Sequence, residues 1–188
     1  MPAATHAVLI RGINVGGKNP VPMAALRVAL EDAGYQDVRT YIQSGNVLLA
    51  APGRGKSRAA DAKVAAAVEG VLAVKFDVDT VVVAVSVDEL RRAVADAPAG
   101  FGSEPHTYHY DVCFLHPSVS AKEAEAAFKL RDGVDSLWIG EGVLYFRRLS
   151  AQRTKSRMNS VMATPVYKHM TIRNWRTTTT LVEMLDDA

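Results

Sequence analysis

The sequence predicts an α+β fold: two ferredoxin-like βαββαβ units, a pseudo-duplication, followed by a C-terminal helix. Three observations predict it. Short β-branched runs alternate with helix-period runs in the order βαββαβ over residues 6–87. A stretch rich in proline and glycine follows at 98–106, and the same order of elements then begins again. The repetition lies in element order and not in residue identity. The organisation read from it is an N-terminal unit at 1–97, a linker at 98–106 and a C-terminal unit with the final helix at 107–188. A single α/β domain with a mixed sheet is the competing architecture.

Each element has its own warrant. His6–Ile10 is an apolar run bounded by glycine, as a buried strand requires. Pro22 suits the first turn of a helix, Leu26, Leu30 and Ala33 form a 3.6-residue stripe, and Gly34 stops it. Residues 38–42 and 47–50 read as strands joined by the tight turn Gln43-Ser44-Gly45-Asn46. An alanine-rich helix is predicted at 58–72, with Val64, Val68 and Val71 on one side. Residues 80–87 are strongly β-branched and read as a strand, after which Asp88 is the expected cap of a helix at 89–97.

In the second half, Tyr108–Leu115 is a strand. Ser120 with Glu123 three residues on makes a capping box for a helix reaching 130. Strands at 134–139 and 143–148 flank the turn Gly140-Glu141-Gly142. A helix is expected at 153–162 and a weaker strand at 166–172. Asn174 is the expected cap of a last helix ending near 185.

Composition bounds the function. Of 188 residues, 48% are apolar, which supports a sizeable core. A net charge of +2 falls short of the clustered basicity of a dedicated nucleic-acid binder. Cys113 is the only cysteine, so a disulfide framework and a thiolate zinc cluster are excluded. No basic leader precedes an apolar run, and no stretch has the roughly 20 apolar residues of a membrane span. A cytoplasmic protein without membrane partners is the expectation.

The most chemical stretch is Arg11-Gly12-Ile13-Asn14-Val15-Gly16-Gly17-Lys18-Asn19, where a strand hands over to a helix. Gly16 and Gly17 allow a close backbone approach, Arg11 can fork onto phosphate or carboxylate, and Lys18 adds a point charge. Glycines needed for positive φ are the structural alternative. The dinucleotide fingerprint GxGxxG is absent, and the sequence leaves the cofactor unknown. In a split βαβ unit the loop after the first strand and the turn between the second and third lie at one end of the sheet. Ser44, Gly45 and Asn46 are therefore expected beside the loop.

Other motifs are weaker. Residues 50–57 resemble a phosphate-binding P-loop with alanine for the first glycine, but the preceding strand reads as a hairpin arm rather than a central parallel strand. His109, Asp111 and Cys113 share one face of a strand, where a cysteine is more often a small buried hydrophobe than a nucleophile. His106, His109 and His116 lack metal-ligand spacing. Arg173 and Arg176 flank Trp175, an arrangement suited to stacking on a base or gripping an anion.

Three stretches resemble the signatures of an uncharacterised bacterial family, domain-of-unknown-function family 1697. They are Arg11 to Asn19 as quoted, Val38-Arg39-Thr40-Tyr41-Ile42-Gln43-Ser44-Gly45-Asn46, and Thr171-Ile172-Arg173-Asn174-Trp175-Arg176-Thr177. Tyr108-His109-Tyr110-Asp111-Val112-Cys113-Phe114-Leu115 fits more loosely. Ile172 stands where the family more often has threonine, and Thr180 where lysine is common. The resemblance implies a two-part α+β fold and supplies no activity.

The expected function is binding of a small anionic ligand: a nucleotide, a phosphorylated metabolite or a nucleic-acid segment. Arg11 and Lys18 would hold charge, Gly16, Gly17 and Gly45 would present backbone, and Asn14, Asn19, Ser44 and Asn46 would orient polar edges. Arg173, Asn174 and Trp175 would close the site from the second half. An enzyme using the same pocket and a non-catalytic protein-interaction module are the alternatives. No acid or histidine lies in either loop to serve as a general base.

Overall fold

The computed structural model describes residues 3–53 and 57–187. It divides into two compact units, Met1–Leu90 with Leu181–Ala188, and Arg91–Thr180. Residues 98–106 fall within the second unit by this division.

The first unit runs β1 (His6–Ile10), α1 (Met23–Asp32), β2 (Gln36–Tyr41), β3 (Asn46–Ala50), α2 (Arg58–Phe76) and β4 (Val82–Ser86). Its sheet has the order β2-β3-β1-β4, with every neighbouring pair antiparallel. Since β3 is antiparallel to both β1 and β2, those two run parallel, as the split βαβ reading requires. Val8, Ile10, Val47, Leu49, Val82 and Ala84 form the core with Leu26 and Leu30 of α1 and Val64, Val68 and Leu72 of α2. Each fully buried leucine contributes roughly 1.5–3 kcal/mol.

The helix ends follow local chemistry. Gly34, at φ 93°, lets its N–H reach the Glu31 carbonyl (3.0 Å) while Tyr35 N–H reaches Leu30 (3.1 Å), which satisfies the last carbonyls of α1. Ser57 Oγ accepts the Ala60 N–H at 3.2 Å and starts α2. The next helix, α3 (Val87–Ala95), begins earlier than expected, and its cap is Ser86 rather than Asp88. Ser86 Oγ accepts Glu89 N–H (3.2 Å) and Glu89 Oε2 accepts Ser86 N–H (2.9 Å). This reciprocal pair satisfies two orphan donors where Asp88 alone would satisfy one.

One buried polar cluster joins β1 to α2. His6 Nε2 lies 3.2 Å from Asp61 Oδ1, both side chains almost fully buried, and His6 Nδ1 is 2.8 Å from Thr5 Oγ1. Burial pushes the Asp61 carboxyl up to about 7, with the nearby Glu89 charge adding to the shift. Burial also lowers His6, against an opposing pull from Glu89. In α5 (Trp175–Asp186), Arg39 Nη1 of β2 donates to the Met184 carbonyl, which ties that end of the helix to the first unit.

The second unit repeats the plan: β5 (Tyr108–Leu115), α4 (Ala121–Ala126), β6 (Asp135–Ile139), β7 (Val143–Leu149) and β8 (Met170–Asn174) in the order β6-β7-β5-β8. The capping box of Ser120 and Glu123 is present. The helix it starts ends at Ala126 rather than 130, because the next N–H groups bond only three residues back and Arg131 N–H turns to Asp135 Oδ2. The helix expected at 153–162 is absent. Three 3₁₀ turns, Ser150–Lys155, Met158–Ala163 and Pro165–His169, stand in its place. Ser156 Oγ accepts from Met158 N–H and Thr164 Oγ1 donates to the Val161 carbonyl, so local polar side chains compete with the helical ladder, and Pro165 ends it. Met158 and Val161 remain buried and complete the core with Cys113, Leu144 and Phe146. Among the described residues, no helix is long and apolar enough to cross a membrane.

Candidate functional site

The loop after β1 is a tongue. Arg11 N–H still donates to the Val81 carbonyl (3.0 Å), and its own carbonyl accepts from Thr80 Oγ1, so the chain leaves the sheet beside β4. Gly12, Asn14, Gly16, Gly17 and Asn19 all have φ between 47° and 73°. Asn14 N–H bonds to the Asn19 carbonyl and Lys18 N–H to the Val15 carbonyl, both at 3.1 Å. Gly16 and Gly17 thus form the tip of a miniature hairpin with positive φ at both central residues, the conformation for which two glycines are suited. The tip is exposed, and nothing stands within 4 Å of where either Cβ would be. The glycines are there for conformation rather than for space.

Asn14 holds the tongue in place. Its Nδ2 donates to the Val21 carbonyl (2.8 Å) and to the Gln43 carbonyl (2.9 Å), and its Oδ1 accepts Val21 N–H (2.8 Å). One amide therefore ties the tongue to the entry of α1 and to the β2–β3 turn. The juxtaposition inferred from topology is present. Ile10 N–H donates to the Gly45 carbonyl at 2.8 Å, and a Cβ on Gly45 would sit 2.8 Å from the Ile10 oxygen. Asn46 is fully buried and donates to the Tyr41 carbonyl and to Ser44 Oγ, both at 3.2 Å.

The residues singled out in sequence thus separate by role. Asn14, Asn19, Gly45 and Asn46 make internal contacts that set shape, Asn19 through a 3.3 Å bond to the Gly12 carbonyl. Gly16, Gly17 and Lys18 are exposed, and Arg11 and Ser44 are half-buried. Sequence reasoning missed Ile42, a β-branched residue at φ 47° that is half exposed beside Gln43. Left-handed backbone at such a residue costs of order 1–3 kcal/mol.

Arg173, Asn174 and Trp175 belong to the second unit. Arg173 lies in β8 rather than in the helix start. It is buried and donates to Thr171 Oγ1 (2.8 Å) and the Ile172 carbonyl (2.9 Å), and burial pulls its guanidinium down to about 10. Asn174 Oδ1 accepts Thr177 N–H at 2.7 Å, as a cap should. Trp175 is half-buried against Gly102, where a Cβ would fall 2.2 Å from the indole Nε1.

The cysteine reading fails on burial. His109 Nε2 lies 3.4 Å from Asp111 Oδ1, and Arg148 Nη2 lies 3.7 Å from Asp111 Oδ2. Cys113 is fully buried, and burial together with Asp111 pushes its thiol far up, away from the thiolate a nucleophile needs. Of the P-loop-like stretch, Arg54, Gly55 and Lys56 lie outside the described residues, and the strand before it is antiparallel to both its neighbours.

Another cluster escaped sequence reasoning because 51 residues separate its parts. Ser118 Oγ lies 2.8 Å from His116 Nδ1 and 3.0 Å from His169 Nδ1. His116 Nδ1 also accepts Ser118 N–H at 3.2 Å, so that nitrogen is an acceptor. The hydroxyl then donates to His116 and accepts from His169.

Fold and site together define a two-unit α+β protein with a hydrogen-bonded tongue carrying Arg11 and Lys18 at one sheet end. The chain belongs to the family described as Protein of unknown function (DUF1697), which matches residues 3–145. The third signature stretch, 171–177, lies beyond the matched residues. A conserved bacterial protein from Streptococcus pneumoniae, SP0830, is similar in structure: TM-score 0.77 at 26% identity, covering 97% of this chain and 98% of that one. No curated protein matches.

Proposed function

We propose that the protein binds a small anionic molecule, of the class of a nucleotide or phosphorylated metabolite, at the tongue. The observation that carries this is the locked geometry of Asn14. Three hydrogen bonds fix the tongue from within, and this leaves exposed Lys18 and the Gly16–Gly17 backbone beside half-buried Arg11 and Ser44. A pre-set cationic edge loses little order on binding. A nucleic-acid segment offers the same phosphate chemistry. The setting we propose is cytoplasmic, in keeping with one free, buried cysteine.

The test is thermal stabilisation by pyrophosphate, ribose 5-phosphate and mononucleotides. A ligand at 100 times its Kd raises stability by about 2.7 kcal/mol. Lys18→Ala and Arg11→Ala are each expected to weaken binding about tenfold. Equal stabilisation of wild type and the double variant sinks the proposal.

A second reading, a protein-interaction edge, draws on Val15 and Ile42, which are 59% and 50% exposed. Under that reading, Val15→Asp abolishes capture of a partner while phosphate compounds leave the melting temperature unchanged.

A further inference from the structure

We infer that the second unit carries a binding cleft, built from its own residues, for a planar heteroaromatic ring bearing an anionic group, the chemistry of a nucleoside phosphate. A cleft of about 390 Å³ opens there, within the size range of small-molecule sites. Tyr108, Tyr110 and Trp175 supply aromatic walls, and Arg176, His109 and Asn174 supply polar groups. Among the described residues, no acidic one lines it. The carboxylate next to it, Asp111, is already engaged by His109 at 3.4 Å and Arg148 at 3.7 Å.

The walls are built rather than incidental. Phe101 packs edge-on against Tyr110 at 4.9 Å and Trp175 at 5.1 Å between ring centroids, which fixes both rings. Arg147 stacks over Tyr108 at 4.3 Å. Gly102 has φ 86° and no Cβ, and only so can the indole of Trp175 lie against it.

Tyr110 is the informative residue. It is 6% exposed, and its hydroxyl has no hydrogen-bond partner among the described residues. A buried, unpaired hydroxyl is costly, so native structures rarely keep one without a reason. The tyrosine lines a cleft with stacking surfaces and a guanidinium, and a ring with hydrogen-bonding edges seated there is the partner that would satisfy its hydroxyl. An apolar ligand would leave it unpaired. The start of α5, a helix of twelve residues, adds a positive dipole end at Trp175.

The experiment titrates the full chain with AMP, adenosine and ribose 5-phosphate and follows Trp175 fluorescence in a Trp138→Phe background. AMP is expected to quench, adenosine to bind at least tenfold more weakly, and ribose 5-phosphate to leave the emission unchanged. Tyr110→Phe is expected to fold with an equal or higher Tm and to bind AMP about tenfold more weakly, a combination that a purely structural tyrosine would not give. Arg176→Ala is expected to weaken AMP to the level of adenosine. Arg11→Ala with Lys18→Ala is expected to leave this quench unchanged, which separates it from binding at the tongue. The inference is overturned by no quench at millimolar AMP, by unchanged affinity in Tyr110→Phe and Arg176→Ala, or by a single-stranded oligonucleotide that binds where AMP does not.

Discussion

The corner where the first strand ends is built twice in this molecule, and differently each time. In the first unit Ile10 N–H donates to the Gly45 carbonyl at 2.8 Å; in the second, Leu115 N–H donates to the Gly142 carbonyl at 3.1 Å. Gly45 and Gly142 both have positive φ, 80° and 71°. The strand order makes this junction whatever the sequence around it. What differs is what the chain does next. The first unit extends a tongue with five left-handed residues. The second turns through His116 to Ser120 and places a serine between two imidazoles. The covers differ as well: α2 is a 19-residue capped helix, while 3₁₀ turns occupy its counterpart. A ferredoxin-like sheet thus demands buried apolar groups and a closed corner, and it tolerates wide variation in how each is supplied.

Four tests break or sharpen that comparison. The largest effect is expected at the shared junction. Gly45→Ala meets backbone at 2.8 Å and keeps φ 80°, so it should cost about 3 kcal/mol or more in chemical denaturation. Gly142 is the matching position in the second unit, and a Gly142→Ala penalty well above that at Gly45 would show that the second corner is the more constrained. Next is the irregular cover. Met158→Ala should cost about 2–3 kcal/mol, as in a regular helix, whereas Gln152→Gly, at the non-helical kink, should stay within about 0.5 kcal/mol. Equal losses would mean that helix propensity, not burial, holds this segment.

The third concerns the buried His6–Asp61 pair of the first unit. With its carboxyl raised from 3.8 to about 7, folded Asp61 keeps a proton that the unfolded chain releases between those values. Its stabilisation is complete below about pH 4 and is lost as pH rises through about 7. His6 works in the opposite direction. Its lowered value makes stability fall as pH drops below 6.5, where the unfolded chain protonates and the folded one resists. Asp61→Asn should therefore flatten the alkaline-side loss between pH 5 and 8 by roughly 1–2 kcal/mol, measured by urea titration at each pH. A variant whose pH profile matches wild type would remove Asp61 from the account. The smallest effect is expected at Ile42. Ile42→Asn relieves left-handed strain and should stabilise by about 1 kcal/mol in thermal unfolding. If it also weakens ligand or partner binding, that strain serves the tongue; if binding is unchanged, the strain is local.

Much of this was legible in sequence. Strands such as His6–Ile10 and Tyr108–Leu115 announce themselves by β-branched and aromatic runs, and Ser120 with Glu123 by spacing. The nearness of the tongue and the β2–β3 turn followed from strand order alone. Ser86 with Glu89 carried the same capping pattern, but Asp88 lay closer to the predicted helix and drew the assignment. The 3₁₀ cover was illegible because Met158 and Val161 keep an apolar spacing that a helix would also give. Asn14 has the side chain of a ligand-orienting residue and acts as an internal brace, a distinction that depends on where Val21 and Gln43 present their carbonyls. The Tyr110 cleft needed Phe101 and Trp175 brought together from distant positions.

The serine of the second corner has one further consequence. Because the backbone N–H of Ser118 also points at His116 Nδ1, main-chain geometry, not solvent, decides which way the hydroxyl faces. With His116 Nδ1 accepting, the hydroxyl takes a hydrogen from His169 Nδ1. A proton arriving at His116 Nδ1 would break the bond from the Ser118 backbone N–H and reverse the one to the hydroxyl, so the cluster has a built-in polarity.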